Sequence, residues 1–194
     1  MRTEPHLPSH FGFDALTELD SVDWSALDHA YGVGVVGDDI YGDVARSLAL
    51  VSSDPSTAVD MGLYSNVCHQ GTVYEASAFA IPFLVAIAAG DIPPIVRTML
   101  LRLVGDIAIG GSFVAPAGSH AGSFGENVQE LVSGTLIRSN VYFDAIERAD
   151  PSHSPLVTAI QRLASEPSET HREAVLAIID PDGPDTSEAS SATP

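Results

Sequence analysis

The densest run of polar and reactive side chains is Cys68-His69-Gln70-Gly71-Thr72-Val73-Tyr74-Glu75. A cysteine beside a histidine suggests a thiolate nucleophile with its base. Neighbours on a helix, however, project about 100° apart, so the two side chains would not meet. The same residues suit a corner between two helices: Gly71 as the left-handed stop, Thr72 as N-cap, and Glu75 completing a Thr-x-x-Glu capping box. On this reading no residue is assigned to catalysis; Tyr74 and His69 are candidates for partner contact at a concave rim, and Glu75 and Arg97 are further candidates for partner contact.

Other chemistry is sparse. His6 and His10 stand four apart, but Pro8 between them opposes the helix that would align them as zinc ligands. The remaining histidines are scattered, so neither a metal nor another cofactor is expected. Gly32 to Gly37 follows no strand and lacks the dinucleotide-binding pattern. Asp14, Glu18, Asp20, Asp23, Asp28, Asp38, Asp39 and Asp43 crowd the N-terminal quarter, with no intervening base after Arg2 until Arg46. Asp38, Asp39 and Asp43 are the acidic candidates for holding a partner.

The charge of the whole chain agrees with that cluster. Its 194 residues carry 26 acids against 8 bases, all arginine, for a formal charge of −18. Such a field repels nucleic-acid phosphates and anionic lipid headgroups and favours a basic protein. Cys68 is the single cysteine, which excludes an intramolecular disulfide and fits a reducing compartment. The N-terminus shows no apolar signal region, and the stretch Ala76 to Ala89 is too short to span a bilayer. A cytoplasmic location is expected.

The elements that must position these residues read as helices. Residues 1–20 form an arm lying on the first helices, anchored by Phe11, Phe13 and Leu16. Trp24, Leu27 and Tyr31 share one face of a short helix closed by Gly32. Ile40, Val44, Leu48 and Val51 mark another, and Val59, Leu63 and Val67 the next. Val73 to Ala89 is a longer helix with Ala78, Ile81, Leu84, Val85 and Ala88 inward, and Pro82 inside it removes one hydrogen bond. After Gly90 to Pro94, a helix carries Val96, Leu100, Leu103, Val104 and Ile107. The Gly110–Gly125 segment is a long connection. Helical pattern resumes from Asn127 to Ala149, interrupted at Gly134 and Asn140, and two short helices follow around Leu156–Leu163 and Ala174–Ile178. Strands are not expected, since nothing alternates for long at period two. Residues 21–180 make one domain, and residues 181–194 lack core formers and read as a disordered tail.

The helices repeat. Ala45, Asp54, Val59 and Leu63 correspond to Pro82, Asp91, Val96 and Leu100, each pair 37 residues apart (82 − 45, 100 − 63). A third copy runs from Phe143 through Asp150 to Leu163. Ala80-Ile81-Pro82-Phe83-Leu84, Asp91, Val96-Arg97 and Leu103-Val104-Gly105-Asp106-Ile107-Ala108 resemble the HEAT repeat. There a first helix carries a proline, an aspartate marks the turn and a Val-Arg pair opens the second helix. The first copy departs from that pattern, with Ala45 for the proline and Asp60 for the arginine. The stretch from Asp23-Trp24 through His69-Gln70-Gly71-Thr72-Val73-Tyr74-Glu75-Ala76 resembles small actinobacterial HEAT-like proteins. The resemblance implies an all-α fold: a short α-solenoid of helical hairpins, about eight helices, stacking apolar faces into one core. The function expected is a binding or scaffold module, immunity- or antitoxin-like, that holds a basic partner on an acidic concave surface. The alternative is a small-molecule enzyme or lyase in the concave groove, using Tyr74, Glu75, His69 and Arg97.

Overall fold

A computed structural model describes residues 4–30, 32–33, 44, 47–48, 62–112 and 127–182. The protein is mostly helical, with a small three-stranded sheet. Its organising element is the helix α2 (Glu75–Ala88), preceded by the short α1 (Tyr64–Val67). All residues of α2 are buried, as its sequence requires: apart from Glu75 and Ser77, every position from Ala76 to Ala88 is apolar, so no face favours water. The inward face expected from periodicity is therefore the whole circumference. The helix continues through Pro82.

Around α2 pack a 3-10 segment (Gly12–Ser21), α3 (Pro94–Ile109), α4 (Val128–Arg138) and α5 (Asn140–Ala149). Beyond them α6 (Ser154–Ser165) and α7 (Glu169–Ile179) form a hairpin that lies against α3, while α6 also packs on α4. The expected break near Gly134 and Asn140 falls at Ser139. The side chains of Leu48, Leu63, Leu84 and Leu100 all lie in the core with no exposed surface. The first copy of the 37-residue repeat lies mostly outside the described residues. The second is a helical hairpin, with Pro82 in α2, Asp91 in the turn, and Val96 and Leu100 in α3. Asp150 of the third copy sits between α5 and α6.

The N-terminal arm is more integral than an overlay. Gly12–Ser21 places Ala15 and Leu19 in the core, and its first residue approaches the end of α2 so closely that a Cβ on Gly90 would lie 2.2 Å from the Gly12 Cα. Phe11 meets Tyr142 edge-on at 5.5 Å between ring centroids, and the Tyr142 hydroxyl donates to the Pro8 carbonyl.

Two regions expected to be helical are extended instead. After a single 3-10 turn (Trp24–Ala26), β1 (Asp28–His29) pairs antiparallel with β2 (Gly32–Val33). Trp24 still packs on the core, its ring 5.9 Å from that of Phe83, but its indole N–H donates to the Leu19 carbonyl and Leu27 turns extended. At the second region, β3 (Cys68–His69) and β4 (Thr72–Val73) form a hairpin, and β5 (Gly111–Ser112) adds parallel to β4. The all-helical expectation is corrected to this extent. Among the described residues no helix is long and apolar enough to cross a membrane.

Candidate functional site

The corner at residues 68–75 is a hairpin rather than a helix cap. Gln70 (φ 52°) and Gly71 (φ 76°) both take the left-handed region, as a two-residue hairpin turn of the primed kind demands. Thr72 does not cap the following helix: its hydroxyl donates to the His69 carbonyl (2.6 Å) and lies 3.0 Å from the Tyr74 hydroxyl. The reciprocal contact at the start of α2 comes from Ser77, whose Oγ accepts from the Tyr74 N–H (2.8 Å) and donates to the Val67 carbonyl. Cys68 and His69 are consecutive strand residues and point to opposite faces. Cys68 is buried, its thiol pushed up to about 12 first by desolvation and then by the nearby Asp106 charge. A thiol so protonated is a packing group, not a nucleophile.

Freed from capping, Glu75 enters the core. It is 1% exposed, and its Oε2 accepts from the backbone N–H of Asp28 at 3.1 Å. Asp28 and His29 are 5% and 3% exposed. Three ionisable side chains are therefore buried where β1 crosses the N-terminal end of α2, with Asp28 within electrostatic reach of both Glu75 and His29. Burial, followed by repulsion from Glu75, raises the Asp28 carboxyl from its ordinary 3.8 to about 6, while His29 opposes the rise. Asp28 therefore exchanges its proton close to neutrality, but the cluster offers almost no surface to a partner.

A second, partly buried group links α1 to α3. Tyr64 hydrogen-bonds Asp106, and desolvation raises both the phenol and the carboxyl above their ordinary values. Arg102 lies near Asp106 and donates to the Ile179 carbonyl at the end of α7. Sequence reasoning missed both groups. The available signal was a lone acid in an apolar helix: Glu75 opening α2, and Asp106 between Gly105 and Ile107.

Arg97 is likewise committed to the fold. Its Nε donates to the Ala88 carbonyl and its Nη2 to the Gly90 carbonyl, both at 2.9 Å, closing the C-terminal end of α2. Nη1 lies 3.9 Å from Asp150 Oδ2, which is also 3.3 Å from His153 Nδ1, and His153 Nε2 reaches Thr98 Oγ1 at 3.0 Å.

Of the residues expected to touch a partner, Tyr74, Glu75 and Arg97 are thus buried, and His69 is partly exposed. Asp38, Asp39 and Asp43 lie outside the described residues. Within the acidic run, Asp14, Asp20 and Asp23 are exposed. Glu18 instead gathers the arm. It meets His6 Nε2 at 2.5 Å and accepts from Ser9 N–H and Oγ at 2.7 and 2.8 Å, and these bonds, the His6 one foremost, lower its carboxyl to about 2. His10 stands 4.0 Å from the same carboxylate. Among the described residues no group of three His, Cys, Asp or Glu side chains could hold a metal ion.

No protein-family model matches this chain, no curated protein matches its sequence, and no solved structure matches its fold.

Proposed function

We propose that this chain is a HEAT-like helical module that binds a basic protein, in the manner of an immunity or antitoxin protein covering a basic enzyme surface. The observation that carries the reading is the charge: 26 acids against 8 arginines, −18 in 194 residues. Complementary charge of this size accelerates docking and rejects acidic competitors. Asp14, Asp20 and Asp23 on the N-terminal segments present part of that charge to solvent.

The HEAT-like part rests on the α2–α3 hairpin, with Pro82 in its first helix, Asp91 in its turn and Val96-Arg97 in its second. This hairpin and the C-terminal one lie against each other, since α3 meets both α6 and α7. The geometry does not favour an enzyme built on Tyr74, Glu75, His69 and Arg97. Glu75 opens α2 and Arg97 closes its far end, so the two lie about 20 Å apart along the helix and cannot converge on a small substrate.

The immobilised chain, exposed to an extract of its native host, is expected to retain basic proteins that moderate salt releases. Retention of acidic proteins only, of none, or a complex indifferent to salt would contradict the reading.

A further inference from the structure

A surface groove of about 560 Å³ runs between the C-terminal end of α3, one face of α4 and the α6–α7 turn. Glu130, Gly134 and Ile137 follow one another at helical spacing along α4 and line one wall. Ile137 is 45% exposed there, an apolar side chain that the fold leaves in water. Ile109 and Leu163 extend the apolar lining from α3 and α6.

Gly134 is the informative residue. Glycine inside a helix costs about 1 kcal/mol relative to alanine. The fold does not require it: a Cβ at that position would meet only the Arg138 Nη1, at an ordinary 3.5 Å. What the missing side chain provides is room for another backbone to approach α4 from outside, as small residues do where helices pack closely. The charge of the whole chain, −18, selects the occupant. At the groove itself Glu130 on α4 and Glu169 on α7 face Arg172, and Arg138 stands beside Gly134. A second copy of the chain would bring a further −18 to the contact.

We infer that this groove is the docking surface for the partner, and that it receives a basic amphipathic helix whose apolar face packs over Gly134 and Ile137. The inference rests on the basic-partner reading and gives it a location.

The test uses the full chain and a labelled helical peptide with leucine on one face and arginine on the other, beside a scrambled peptide of identical composition. The ordered peptide is expected to bind at least about tenfold more tightly than the scrambled one, a difference of about 1.4 kcal/mol. Gly134→Leu fills the groove and should abolish that preference while leaving the thermal midpoint equal or higher, because leucine is the better helix former. Gly134→Ala, the smaller change, should raise the midpoint and weaken binding by less. Ordered-peptide binding that survives Gly134→Leu overturns the groove but leaves the basic-partner reading standing. Equal binding of both peptides overturns the amphipathic-helix occupant, and no binding of either to the wild-type chain overturns the groove and the basic-partner reading together. Self-association of the wild-type chain that Gly134→Leu dissolves would assign the groove to a second copy and overturn the basic helix.

Discussion

Replacing Asp28 with asparagine should change how stability depends on pH, and the sign follows from the burial of that carboxyl. In the unfolded chain Asp28 titrates near its ordinary 3.8, and in the folded chain at about 6. The folded state therefore holds a proton that the unfolded state has released. The associated stability is fully present below the unfolded value and is lost as pH rises through about 6, beyond which the contribution is flat. A tenfold change in proton affinity corresponds to about 1.4 kcal/mol, so the charged carboxylate costs the fold up to about 3 kcal/mol at neutral pH. Asparagine keeps the shape and removes the charge, and it leaves untouched the backbone N–H that donates to Glu75. Chemical denaturation of wild type and Asp28→Asn, compared point by point between about pH 4 and pH 7, should show near-equal stability at the acid end. The variant should pull ahead by about 1–3 kcal/mol at the neutral end. Glu75→Gln should move the wild-type step toward lower pH, because the Glu75 charge is the second cause of the rise. A constant difference across the range, or an asparagine variant less stable at pH 7, would refute the claim that Asp28 is charged and buried beside Glu75.

Two further substitutions probe how α2 is closed. Gly90→Ala places a Cβ 2.2 Å from the Gly12 Cα, a backbone atom that cannot yield without displacing the N-terminal segment. It should cost about 1–3 kcal/mol in thermal or urea unfolding, and a neutral result would deny that Gly12–Ser21 docks there. Arg97→Met removes two donors and leaves the Ala88 and Gly90 carbonyls without them, at an expected cost of about 2–4 kcal/mol. Partner capture by any surviving folded variant should be unchanged, since Arg97 is buried.

The long elements were legible because their apolar residues recur over enough turns to be unambiguous. Leu84 and Leu100 mark α2 and α3, and Val128, Leu131 and Val132 mark α4. The short strands were not, since two residues cannot display alternation. At Gln70-Gly71 the decisive fact is a left-handed pair of residues, and a Gln-Gly pair serves a hairpin turn as readily as a helix stop. Trp24, Leu27 and Tyr31 carry helical spacing, yet Asp28 donates its N–H to a carboxylate 47 residues away, a contact that no local pattern contains. For the same reason the Asp28–Glu75 and Tyr64–Asp106 groups could not be read from their segments, and Arg97 could be recognised beside Val96 without disclosing which carbonyls it holds. Of the candidate partner contacts, Tyr74 and His69 were placed at a rim because a polar side chain near a corner is usually exposed; His69 is partly exposed, but Tyr74 is buried. Here the corner folds inward over α2.

Every placement above depends on α2 being enclosed by the rest of the chain, which residue-resolved native-state hydrogen exchange measures directly. The amides from Phe79 to Ala88 that are bonded within α2 should be the slowest in the protein and exchange only with global unfolding, at the full unfolding free energy. Pro82 has no amide to report. Exchange in α2 through smaller openings, as fast as in the exposed α7, would contradict the account.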